Sequence, residues 1–158
     1  MTKFLLSVHV LAAILAIGPI AVAASMFPAV ARRAHAGADG AGTDDTVQGL
    51  AQLRLLHRIC RVYAVFGLVV PVFGLSTALA LDVLGDAWLI VSIVLTALAA
   101  GVLAFVLLPR QDALLAPAAP DEVARSAGRL AMHTGMFNLL WAIVTVLMIV
   151  RPGSTTGA

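Results

Sequence analysis

Four histidines are the side chains of this sequence best suited to metal or redox chemistry. Three of them, His9, His57 and His133, lie in or beside long apolar runs, and a pair of imidazoles can hold the iron of a b-type haem. His133 paired with His9 or with His57 would supply such ligands. Helical rise places His57 about 7 Å outside the hydrocarbon and His133 about 4 Å inside it, a mismatch on the order of 10 Å. We therefore predict no cofactor and keep haem b as the alternative.

The same histidines also have simpler interpretations. His57 precedes an apolar run, so we expect it to be solvated at the membrane surface. His9 and His133 lie within such runs, where we expect hydrogen-bonded packing residues, because unpaired polar groups are costly in hydrocarbon.

Other reaction chemistry has little support in this chain. All eight acidic residues fall in loops or at helix ends, so no carboxylate lies in the hydrocarbon to relay protons. Zinc-ligand spacing, a phosphate loop and a nucleophile elbow are not found in the sequence. Cys60 is the single cysteine and excludes an intramolecular disulfide. We predict no catalytic residues, no metal site and a non-enzymatic protein.

A polar stripe runs along the last apolar segment. Thr134, Asn138, Trp141 and Thr145 follow one another at intervals of four, three and four residues, so they share one face of a helix. We expect this stripe to face other helices, with Asn138 bonded to a neighbour, the threonines bonded to their own helix, and an internal partner for the indole of Trp141. The alternative is a small-ligand pocket that also includes Tyr63.

The elements that position these residues are membrane-spanning helices. Hydrophobic residues make up 61% of the chain and charged residues 11%, a balance that a soluble core of this size does not hide. We predict an all-α, polytopic four-helix bundle in a single transmembrane domain, residues 1–158, with helices at about 4–30, 54–81, 87–108 and 122–150. We expect the first helix to be retained, because its apolar run is longer than that of a signal peptide.

The distribution of cations orients the bundle. Eight of the ten lie beside or within the first and third connections, so the positive-inside rule places these two loops in the cytoplasm and both termini outside. Arg54, Arg58 and Arg61 share one helical face and are expected to contact lipid headgroups. The net charge of +2 is too small to indicate nucleic-acid binding.

Two smooth faces suit close helix packing. They comprise Ala12, Ala16, Pro19 and Ala23 on the first helix, and Tyr63, Gly67, Pro71, Gly74 and Ala78 on the second. These faces offer more packing surface than one small bundle needs. We therefore expect a subunit or accessory component of an assembly in a bacterial inner membrane, in contact with the lipid bilayer and with further copies or a membrane-protein partner. A haem-binding redox or haem-handling protein and a small-solute channel or carrier are the alternatives.

The chain also resembles a known family. The pattern "LLSVHVLAAILAIGPIAVAA" places His9 nine residues before Gly18, and "TVLMIVRPG" ends the last helix. Together they resemble small bacterial four-helix membrane proteins known only as domain of unknown function 2269. Pro19 replaces an expected second glycine, and Arg151 replaces the usual lysine. The resemblance implies the four-helix fold and no activity.

Overall fold

The computed structural model describes residues 2–36, 43–116 and 119–153, and every regular element within those ranges is helical. The elements are α1 (Thr2–Ala36), α2 (Thr43–Gly67), α3 (Val69–Leu81), α4 (Ala87–Gly101), a π-helical segment (Val102–Leu107), α5 (Leu108–Ala113) and α6 (Pro120–Val150).

These elements form four long helical units. α1 is the first, α2 and α3 meet at Leu68 to form the second, α4, the π-helical segment and α5 form the third, and α6 is the fourth. Each unit is long and apolar enough to cross a membrane. The prediction of an all-helical chain with four candidate membrane spans is confirmed.

The helices are longer than the apolar runs that predicted them. α1 continues to Ala36 rather than ending near residue 30, and α2 begins at Thr43 rather than near residue 54. The additional part of α2 is amphipathic: Leu53 is buried and Leu50 half-buried, whereas Val47 and Gln52 are exposed. Packing of this apolar face extends the helix beyond the stretch that lipid alone would require.

The two ends of the bundle differ. His35, near the end of α1, has its Nε2 3.4 Å from the carbonyl oxygen of Ala116, so α1 ends and α6 begins at the same end, here named the loop end. At the opposite end, named the terminus end, the Arg151 guanidinium lies 5.7 Å over the ring of Trp88. The tight turn between α3 and α4 is also there, with Asp82 in the left-handed region at φ 56°.

Most buried side chains lie toward the loop end. The main cluster includes Phe27, Leu53, Leu107 and Leu130, all fully buried. A smaller cluster of Ala78, Val83, Trp88 and Leu89 packs at the terminus end. The main cluster also includes Ile20, Leu103 and Phe137 from the apolar runs, so it continues from the loop end into the candidate membrane spans.

The two smooth faces predicted to remain open are used largely inside the bundle. Ala16 and Ala23 of α1 are buried. On α3, Ala78 is buried, and a Cβ at Gly74 would lie 2.8 Å from the imidazole Cε1 of His9. Ala78 packs in the cluster of Val83, Trp88 and Leu89, whereas Pro71 of the same face is exposed. Much of the two faces is therefore covered within the bundle, and the expected interface with a further chain stays a prediction.

The π-helical segment has a local cause in Pro109. Proline has no backbone N–H and crowds the carbonyl of the preceding turn, which an α-helix accommodates poorly. The wider turn of the π-helix is shown by the N–H of Leu108, which donates to the carbonyl of Leu103, five residues earlier. The helix thus passes Pro109 and continues as α5, which places Gln111 in the interior.

Candidate functional site

The predicted polar stripe on α6 faces the bundle in part. Asn138 donates from Nδ2 to the Ser25 hydroxyl of α1 at 3.1 Å, the neighbouring-helix bond expected for it. The Thr145 hydroxyl donates to the carbonyl of Trp141 at 2.8 Å, four residues earlier. Thr134 is buried, and Trp141 is half-buried. The stripe therefore lies along the edge where α6 meets α1.

Three polar atoms of this stripe are buried without a hydrogen-bond partner among the described residues. They are Thr134 Oγ1, Asn138 Oδ1 and Trp141 Nε1. The expected internal partner for the indole of Trp141 was wrong, as was the expected intrahelical bond of Thr134. One acceptor, one donor and one hydroxyl remain able to bond to a small polar molecule. Such groups cost several kcal/mol each in hydrocarbon when unpaired.

Tyr63 packs against the same core cluster as Trp141. It is half-buried against the main core cluster, and its ring centroid is 6.2 Å from that of Phe66. No described hydrogen bond joins Tyr63 to Asn138 or Trp141. The three residues of the predicted ligand pocket are therefore not joined by hydrogen bonds among the described residues, and the pocket stays a prediction.

A surface of small residues lies on both sides of the Ser25–Asn138 bond. It is named the α1–α6 groove and comprises Gly18, Ala21, Ser25 and Ala29 on α1, with Gly128, Ala131, Gly135, Asn138 and Ala142 on α6. The members are spaced by three or four residues on each helix, so each set forms a continuous stripe. All are exposed or partly exposed.

The groove is open to the surroundings of the bundle. A Cβ added at Gly18, Gly128 or Gly135 would meet no atom within 4 Å outside the local helix, whereas one at Gly49 would lie 2.7 Å from the Cβ of Ala34. Sequence reasoning missed this surface, although the heptad-like spacing of Gly128, Ala131, Gly135, Asn138 and Ala142 was a signal for it.

The structure does not bring His9 and His133 together. The His9 Nδ1 is 3.0 Å from the carbonyl oxygen of Val70. With Ser25 and Asn138 at one level, His9 lies toward the terminus end and His133 toward the loop end, roughly 30 Å apart along the helix axes. This distance is too great for two axial ligands of one haem.

His57 and His133 lie on either side of α5. His57 Nδ1 is 3.2 Å from Gln111 Oε1, and His133 Nδ1 is 3.0 Å from Arg110 Nη1. His133 Nδ1 is also 2.6 Å from the carbonyl oxygen of Arg129. The contacts of Gly49 with Ala34 and of Asn138 with Ser25 place His133 about 6 Å nearer the loop end than His57. The expected mismatch on the order of 10 Å, with His57 nearer the loop end, was wrong. The two rings bond to α5 rather than facing a common space.

The expectation that His57 is solvated was also wrong. His57 is 7% exposed, and Gln111 and Cys60 are fully buried beside it. Gln111 Nε2 donates to Cys60 Sγ at 3.5 Å. Sequence reasoning placed Gln111 in a loop and missed it. A helix continued through Pro109 would have placed Gln111 on the same face as Leu107 and Leu114, which are buried.

Charged side chains surround this end of the bundle. Arg54, Arg58 and Arg61 are all exposed on α2, which is compatible with the predicted contact with headgroups. A pocket of about 160 Å³ between α1 and α6 has a mostly apolar lining of Arg32, His35, Pro120, Val123 and Ala124. The pocket contains none of the predicted site residues.

In residues 2–36, 43–116 and 119–153, no three His, Cys, Asp or Glu side chains are grouped to hold a metal ion. No protein-family model, curated protein or solved structure matches the chain.

Proposed function

We propose that this chain is a non-enzymatic component of a membrane-protein assembly, which receives a transmembrane helix of a partner or of a second copy in the α1–α6 groove. The proposal rests on one observation: the groove presents glycines and alanines, with the Ser25–Asn138 pair among them, to the lipid-facing side of the bundle.

Small residues favour helix association in lipid for a physical reason. Apolar side chains gain little by leaving lipid for another apolar surface, so close backbone approach and interhelical hydrogen bonds supply the attraction. Gly128 and Gly135 permit that approach on α6, and Gly18 permits it on α1. Neighbouring lipid-facing positions of α6 carry large side chains such as Met132, which is 65% exposed. The contrast favours the groove as the contact surface.

The charge distribution supports a location in a bacterial inner membrane. Arg54, Arg58 and Arg61 project from α2 at the loop end, where anionic headgroups attract exposed cations. The positive-inside rule then places the loop end in the cytoplasm and the termini outside. The resemblance to domain of unknown function 2269 agrees with a bacterial four-helix membrane protein and adds no activity.

Native mass spectrometry of the full chain, extracted in nanodiscs or mild detergent, tests the proposal. We expect the mass of a second copy or of a bound membrane protein in addition to that of the chain. Ala142→Leu and Gly135→Leu fill the groove and should remove this mass. The matched control is Ala97→Leu, because Ala97 is exposed on α4 outside the groove. A clean monomer in wild type, or the same loss in Ala97→Leu, would contradict the proposal.

A further inference from the structure

A buried chain of polar contacts joins α2 to α5 at the loop end. Gln111 Oε1 faces His57 Nδ1 at 3.2 Å, and Gln111 Nε2 faces Cys60 Sγ at 3.5 Å. An amide oxygen only accepts hydrogen bonds, so His57 must carry its hydrogen on Nδ1 to make this contact. The Gln111 amide then donates to the Cys60 sulfur, so the direction of donation is fixed at both hydrogen bonds.

Because Nδ1 of His57 keeps its hydrogen in this arrangement, Nε2 is the ring atom that gains or loses a proton. That atom lies 3.8 Å from Asp112 Oδ1. In the neutral ring, a nitrogen lone pair faces the carboxylate, which is unfavourable. In the protonated ring, an N–H of a cation faces it, which is an ion pair. Whether the contact between His57 and Asp112 is attractive or repulsive therefore depends on the protonation state of His57.

We propose that His57 and Asp112 form a proton-operated latch, which holds α5 against α2 when His57 is protonated and loosens it when His57 is neutral. The carboxylate sits on a short helix that follows the π-helical segment, and its side chain is 75% exposed. Because α5 is only six residues long, a weak contact can change how tightly it packs against α2. The hydrogen bonds of Gln111 keep the two helices aligned in both states. This inference does not depend on the assembly proposed above.

Charged and titratable groups lie on each of the helices around His57. α2 carries the thiol of Cys60 and the exposed side chains of Arg54, Arg58 and Arg61. α5 carries Arg110 and Asp112, and α6 carries Arg129 and His133. α1 carries Arg32 and Arg33. Arg110 contacts His133. The contacts of Gly49 with Ala34 and of Gly74 with His9 show that Arg32 and Arg33 lie more than one helical turn from His57 toward the loop end. Among the described side chains, Asp112 supplies the carboxylate within 4 Å of the His57 ring.

Hydrogen–deuterium exchange of the full chain in nanodiscs tests the latch. Exchange is measured at pH 5.5 and pH 8.0, values that bracket the ordinary titration of imidazole, with labelling times scaled for the intrinsic exchange rate. We expect peptides covering 108–116 to be about two- to fivefold more protected at pH 5.5, the range that an exposed ion pair provides. Asp112→Asn should abolish this difference.

Asp121→Asn is the control, because Asp121 is also exposed on the first turn of a helix near this end and has no described contact with His57. It should preserve the pH dependence. A wild-type segment with equal protection at both pH values, or an Asp112→Asn variant that keeps the difference, would overturn the latch. Nitrogen-15 NMR of the histidines gives an independent check: neutral His57 should carry its hydrogen on Nδ1, and the opposite tautomer would also overturn it.

Discussion

At Gly49, α2 lies directly against the backbone of α1. A Cβ added there would lie 2.7 Å from the Cβ of Ala34 and 3.0 Å from its Cα, whereas ordinary contact begins at 3.4 Å. Gly49→Ala therefore requires the two helices to separate, since neither contacted atom can rotate away. Both helices take part in the main core, so the separation also loosens contacts of Leu53 and Phe27.

The expected magnitude follows from two opposing terms. Overpacking of a tight contact costs about 1–3 kcal/mol. Replacement of a helical glycine by alanine contributes about 1 kcal/mol in the stabilising direction. Gly128→Ala is the matched control, because a Cβ there meets nothing within 4 Å and only the stabilising term applies. The two variants should therefore differ in free energy of unfolding by about 1–3 kcal/mol, with Gly49→Ala the less stable.

Unfolding by SDS titration in mixed micelles, followed by circular dichroism, measures this difference. Ala34→Gly removes one of the two contacted atoms, so the double variant with Gly49→Ala should recover part of the loss as a favourable coupling. Equal stability of Gly49→Ala and Gly128→Ala would refute the inference that α1 and α2 are held at this distance by the glycine.

Two further predictions concern the cofactor and the orientation. The purified protein should have a featureless visible spectrum, because His9 and His133 are roughly 30 Å apart and His57 bonds to Gln111; a Soret band that disappears in His133→Ala would show the haem alternative to be right. In a Cys60→Ala background, Gly85→Cys should react with a membrane-impermeant maleimide added to intact cells, since the α3–α4 turn lies at the terminus end; protection of this cysteine until the cells are lysed would reverse the proposed topology.

The four spans could be read from the sequence because lipid imposes a simple rule. Every backbone group must be satisfied within its own segment, so a long apolar run is a helix. The helical extensions at the loop end do not follow this rule. They depend on whether Ala31, Ala34 and Leu53 find apolar partners on other helices, which is a matter of tertiary packing. The spacing of these residues indicates an amphipathic helix but does not predict which helix they pack against.

The polar residues were predictable to different extents. The bond of Asn138 to a neighbouring helix followed from the cost of an unpaired amide in hydrocarbon, but its partner Ser25 did not. Gln111 was missed because Pro109 reads as the end of a helix. A π-helical turn that accommodates proline is a rare local solution, and the residues before Pro109 carry no recognisable signal for it.

The widened turn at Val102–Leu107 makes the third span tolerant of a change in chain length at that point. A π-helical turn contains more residues than an α-helical turn, so it absorbs an additional residue locally. Deleting a single codon there would let the backbone return to the usual repeat, and the residues downstream, Gln111 among them, would keep their orientation. A deletion in the regular helix of Ala87–Gly101 would instead rotate every downstream residue by about 100° around the axis and carry Gln111 away from His57 and Cys60.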